Sequence, residues 1–130
     1  MKKTKNLNIN THLYTLIMKF LLNKKDIIAL NQEFGSSSFS NEPSLDFALS
    51  YAKNSQNWTK SLAYLVRAIN LDHVFEDGNK RTAALLIKAY TEIEGHDVYK
   101  DKVIKMIKEI AVKKISSIKK IEEMIQNAIK

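Results

Sequence analysis

Asn79-Lys80-Arg81-Thr82-Ala83-Ala84-Leu85-Leu86-Ile87-Lys88-Ala89-Tyr90-Thr91-Glu92-Ile93-Glu94-Gly95 decides the fold class. Ala83, Leu86, Ile87 and Tyr90 recur at helical spacing, and Ala84, Leu85 and Ala89 leave little polar surface. The pattern predicts a helix over 79–94 at the centre of a bundle, stopped by Gly95. Upstream, Leu62, Leu65, Val66 and Ile69 form a second apolar stripe with Thr59 as its expected N-cap. A helix over Ser44 to Ala52 carries Leu45, Ala48 and Leu49, and another starts at Asp26 and carries Ile27, Ile28, Leu30, Asn31 and Phe34 before Gly35 stops it. Leu13, Leu16, Ile17, Phe20 and Leu21 predict a helix over about 11–23. Downstream, Asp101 is the expected cap of a helix through Val103, Ile104, Ile107 and Ile110, and a last helix runs through Ile118, Ile121, Met124, Ile125 and Ala128.

Only 3 Gly and 1 Pro are available for tight turns, which argues against a many-stranded sheet. The expectation is all-α: a single domain over residues 1–130, a helical bundle of about six helices. Residues 35–43, Gly-Ser-Ser-Ser-Phe-Ser-Asn-Glu-Pro, carry no periodicity and form a loop or short flap between early helices, in which Phe39 has no obvious core to join.

Zero Cys removes disulfides, thiolate metal sites and cysteine nucleophiles, and fits a cytoplasmic protein. The basic start before Leu13 to Leu22 imitates a signal peptide, but Lys19 interrupts the apolar run and no small-x-small cleavage site follows. No stretch reaches the roughly 18 apolar residues of a membrane span, so no membrane partner is expected. The net charge of +7 is uneven: residues 1–30 carry +5, residues 31–97 carry −3 and residues 98–130 carry +5. Lys-rich solvated helix faces account for the two basic ends more simply than a nucleic-acid partner does.

Chemistry concentrates in His73-Val74-Phe75-Glu76-Asp77-Gly78-Asn79-Lys80-Arg81. A helix N-terminus offers unpaired N–H groups and positive dipole character, so an anion belongs at this one. Lys80 and Arg81 oppose that dipole by about 0.3–1 kcal/mol each when exposed, and a bound polyanion would explain them. Arg81 is one of two Arg against 19 Lys, as expected where a planar fork is wanted. Gly78 allows close backbone approach to phosphate, Asp77 is the nearby hard ligand for Mg²⁺, and His73 is suited to take a proton near neutral pH. His12 and His96 have no partners at metal spacing, and the Asn57-Trp58-Thr59 sequon is read as having no modification role.

The segment resembles the signature of the Fic/Doc (death-on-curing) family, His-x-Phe-x-(Asp/Glu)-(Gly/Ala)-Asn-(Gly/Lys)-Arg, at every fixed position. Asp26 to Asn31 looks like the family's early helix and Asn41 to Leu49 like the segment after its flap, so the resemblance is strongest over 24–112. It implies a protein-modifying transferase using ATP and Mg²⁺. His73 would activate a Ser, Thr or Tyr hydroxyl of a target protein, and Arg81 would neutralise phosphate charge. Asp77 would hold Mg²⁺, Phe75 would anchor the loop, and Gly78, Asn79 and Lys80 would form the phosphate-binding turn. Ser37, Ser38 and Phe39 would belong to a flap lying along the target, with Phe39 as a clamp.

Many AMP-transferring members have Gly where this chain has Lys80, and a second Arg where it has Ala84. Lys80 without that Arg is similar to the Doc-like branch, which implies transfer of the terminal phosphate, whereas Gly78 follows the AMP-transferring majority. Phosphate transfer, AMP transfer with the same site, and a non-catalytic helical binding module or basic nucleic-acid binder are thus the three readings. The self-inhibited members' (Ser/Thr)-x-x-x-Glu-(Gly/Asn) motif is represented only by Tyr90 followed by Glu94-Gly95, so inhibition by a separate antitoxin-like partner is expected.

Overall fold

The computed structural model describes residues 23–130. Residues 11–22 of the helix expected over 11–23, and the basic stretch before them, lie outside the described residues. The chain forms α1 (Lys24–Gln32), α2 (Glu42–Asn54) and α3 (Trp58–Val66), which runs into a π-helical turn, Arg67–Leu71. Then come α4 (Asn79–Ile93), α5 (Lys100–Lys113) and α6 (Ile118–Ala128). Among the described residues the all-α expectation is met by six α-helices, and β pairing there is confined to isolated antiparallel bridges, Phe39 with Phe75 and Val98 with Ile129.

The caps differ from those expected. Asn23, not Asp26, caps α1: its side chain accepts from the Asp26 N–H, and Asp26 returns a bond to the Asn23 N–H at 2.8 Å. This reciprocal box satisfies two of the donors a helix start leaves open. Asn57, not Thr59, caps α3 by accepting from the Lys60 N–H, while the Thr59 hydroxyl lies 2.6 Å from the Glu122 carboxylate of α6. Tyr99 stands at the N-cap of α5, with Asp101 inside its first turn, and α2 begins two residues before Ser44, with Pro43 in its first turn.

One core serves all the described helices, built from Ile27, Leu45, Leu62, Leu65, Val66, Ile69, Phe75, Leu86, Ile87, Ile110, Ile121 and Ile125. The centre is shared. α3 packs on α2, α4 and α6, and α4 packs on α1, α3 and α5. The expected buried face of α4, Ala83, Leu86, Ile87 and Tyr90, is buried, while Ala84 and Leu85 are half-buried and Lys80, Arg81, Lys88 and Glu92 are exposed. The π turn follows directly on α3. The Asp72 N–H donates to the Arg67 carbonyl at 3.1 Å, an i→i−5 bond, and Ala68, Ile69 and Asn70 are buried within the turn. Such widened turns leave a helix end with a different direction from that of a plain α-helix.

Tyr90 is the titratable group that α4 buries. Burial pushes its phenol up to about 12, with the charge of Glu94 adding to the effect. Because its pKa is raised in the fold, the unfolded chain loses the proton first, and this stabilisation fades from about pH 10 through about pH 12. Tyr90→Phe is expected to flatten the alkaline fall of Tm over that window, measured by thermal melts at stepped pH.

Candidate active site

Loop and flap lie on one another along the whole segment between the π turn and α4. Ser40 and Asn41 donate their N–H groups to the Val74 carbonyl at 2.8 and 3.0 Å, and the Glu76 N–H donates to the Ser38 carbonyl at 2.9 Å. The Phe39 and Phe75 rings stack at 5.4 Å. Phe75 is fully buried, as its expected anchoring role requires, but Phe39 is half-buried against it. The aromatic clamp expected on the flap's target side is therefore turned inward. Ser36, Ser38 and Ser40 of the flap are exposed, and Ser37, at φ 65°, is half-buried with its N–H on Asn31 Oδ1 at 2.9 Å.

Asn31 is a junction that no motif announces. Fully buried, it donates through Nδ2 to the Asp77 carbonyl at 2.9 Å and to Thr82 Oγ1 at 3.1 Å, while its oxygen takes the Ser37 N–H. One side chain thus joins α1, the flap, the loop and α4. The sequence does carry a signal: Asn31 stands four residues after Ile27 on a core stripe, where an apolar residue is the rule. Lys24 holds the far side, pairing with Glu42 and, at 2.8 Å, with Asp46 across the flap while its ammonium lies 5.3 Å from the Phe39 ring centre. Hydrogen bonding to Asp46 and then Glu42 raises the Lys24 pKa.

Two glycines are set by close approach. Gly78 has φ 72°, and a Cβ there would lie 3.1 Å from the Phe34 carbonyl carbon. Gly35, expected only as a helix stop, has a second duty, since a Cβ there would lie 2.5 Å from Asp77 Oδ1. Asp77 itself faces the flap, accepting the Ser36 N–H on Oδ1 at 2.9 Å.

Beside this clasp opens a cleft of about 420 Å³, lined by Phe34, Asn70, His73, Gly78, Asn79, Lys80 and Arg81. The structure therefore brings together His73, Gly78, Asn79, Lys80 and Arg81 from the expected set. Asp77, Ser37, Ser38 and Phe39 stand outside the lining, on the flap side. His73 is exposed and holds φ 53°, a left-handed conformation that a non-glycine residue rarely adopts. The Asn79 side chain does not reach for a ligand: Oδ1 accepts the Phe75 N–H at 3.0 Å and Nδ2 donates to the Phe75 carbonyl at 2.8 Å. Asn79 heads α4, so its backbone N–H is among the donors that a helix start leaves open. The Arg81 guanidinium lies 5.8 Å from the Phe34 ring centre, and Phe34 is 38% exposed. Phe34 and Asn70 were missed as cleft residues. Phe34 fits the apolar spacing of the helix expected after Asp26, and Asn70 continues the Leu62 and Val66 register with a polar side chain.

The family model for the Fic/DOC family matches residues 8–91, a span that includes the whole segment from His73 to Arg81. The chain belongs to the Fic/DOC family. No curated protein and no solved structure matches it. At the family level a Fic/DOC domain is a nucleotide-dependent transferase, and such enzymes generally use ATP with Mg²⁺. The cleft's volume lies in the range of about 300–1,000 Å³ usual for ligand sites, and two cations stand beside it at a helix N-terminus. Among the described residues no three carboxylates or histidines gather into a metal-binding group. The lone carboxylate of Asp77 suits Mg²⁺, which takes one or two carboxylates and completes its shell with water and phosphate oxygens. No helix among the described residues is long and apolar enough to cross a membrane.

Proposed function

We propose that this Fic/DOC domain moves the terminal phosphate of ATP to a Ser, Thr or Tyr hydroxyl of a target protein. The observation that carries the reading is the presence of His73, Lys80 and Arg81 in one cleft at the start of α4. His73 accepts the proton of the target hydroxyl, whose oxygen bonds to the γ-phosphorus as the bridge to the β-phosphate breaks and ADP leaves. Arg81 opposes the charge on the phosphate oxygens, and the open N–H groups of the first turn of α4 add their dipoles. Asp77 would hold Mg²⁺, which supplies further charge neutralisation on the phosphates. The target segment meets the exposed side of the flap at Ser36 to Ser38, and a separate antitoxin-like protein is the expected inhibitor.

Lys80 argues for the terminal phosphate, because its stem and charge fill the place where Gly would admit an α-phosphate. AMP transfer is the second reading, favoured by Gly78, whose open backbone follows the AMP-transferring pattern. Labelled ATP separates them. The target is expected to gain label from γ-labelled and not from α-labelled ATP, and Lys80→Gly is expected to lower the γ-signal. Lys80→Gly with Ala84→Arg is expected to raise α-labelling above either single change. Transfer of the α-label by the unsubstituted protein would establish the second reading.

A further inference from the structure

Asn70 is 1% exposed, and its amide is held in one orientation: Nδ2 donates to the Ile107 carbonyl of α5 at 3.0 Å. The other end, Oδ1, is buried with no hydrogen-bond partner, yet Asn70 lines the cleft. An amide oxygen left so costs about 1–3 kcal/mol, so a donor is expected to meet it in the working state. The cleft offers few side-chain donors. Phe34 has none, and the Asn79 amide is bonded at both ends to Phe75. Lys80 and Arg81 are exposed cations on the first turn of α4, and under the proposed function their charges go to the phosphates. His73 remains, three residues beyond Asn70, with an exposed imidazole that is free to turn.

We infer that Asn70 is the positioning residue of His73: its Oδ1 accepts the Nδ1–H of the neutral imidazole and leaves Nε2 as the proton acceptor. A neutral imidazole has one N–H, and which nitrogen carries it is set by the hydrogen bond the ring makes. A base oriented by a third, fixed group is the general logic of activated hydroxyl chemistry. The π turn buries Asn70 under α5, and the left-handed residue at 73 releases the imidazole from the helix end. The role rests on the transferase reading above, but the pair has a signature of its own.

That signature is the tautomer. In the full chain labelled with ¹⁵N-histidine, long-range proton–nitrogen correlation at a pH where the imidazoles are neutral is expected to show His73 as Nδ1–H, its signals assigned by their loss in His73→Ala. Asn70→Leu is expected to shift His73 towards Nε2–H and to lower kcat about 10- to 100-fold with nucleotide KM unchanged, part of the ~10²–10⁴-fold that a positioned base supplies. Asn70→Asp keeps an acceptor and is expected to keep the Nδ1–H form, which decides the matter should the leucine variant fail to fold. Nε2–H in the unsubstituted protein, or a change in KM alone, overturns the proposal. An inactive protein showing Nδ1–H overturns the transferase reading while supporting the pair; an active one showing Nε2–H overturns the pair alone.

Discussion

His73→Ala is expected to lower target labelling by about 10²–10⁴-fold while leaving the stabilisation by ATP and Mg²⁺ in place. A general base acts on the hydroxyl proton in the transition state, so removing it raises the barrier without removing a nucleotide contact. The cations proposed to meet the phosphates belong to another element: Lys80 and Arg81 stand on the first turn of α4, whereas His73 hangs in the loop before it. Arg81→Ala is the companion measurement. It deletes a charge from the anion site and is expected to remove most of the nucleotide-induced rise in Tm. A His73→Ala protein that no longer responds to ATP, or that keeps its labelling rate, would remove His73 from the role of base.

Phe75→Ala is expected to cost about 3–5 kcal/mol, with a fall in Tm on the order of 10–20 °C for a chain of this size. The ring is fully buried and stacked on Phe39, and the backbone at the same position is held from both ends by the Asn79 amide. Truncation opens a cavity under the loop and takes away the surface on which the flap rests. Phe39→Ala is expected to cost less, because that ring is only half-buried. Thermal and urea melts of the two variants provide the comparison, and equal losses would show that the stack does not have Phe75 as its inner member. The order of the two losses also bears on function, since the same bridge fixes the backbone from Val74 to Glu76, next to His73.

Much of the site was legible because its parts are contiguous. A titratable ring, a carboxylate, a glycine and two cations fall within nine residues, and the apolar period of 79–94 places them at a helix start. Contiguity does not set which way a side chain turns. Asp77 is adjacent to Gly78, yet its Oδ1 faces the flap through the Ser36 N–H, and the Asn79 side chain closes a loop instead of meeting a ligand. Both outcomes depend on partners one turn or forty residues away, which spacing along the chain does not encode.

Periodicity and composition alone determined the helical class, the elements from α1 to α6 and the chemistry collected before α4. The reason is that a 3.6-residue apolar repeat requires only local backbone geometry and one buried face. Tertiary structure decided which polar residue caps each helix, where the π turn falls, and that Phe39 packs inward. It also decided that Asn31, Phe34 and Asn70 belong to the site. These features depend on long-range contacts: Asn31 lies forty-six residues from Asp77, and the Asn70 amide is oriented by a carbonyl of α5. A buried amide takes its function from the groups that surround it in space, and only packing brings those groups together.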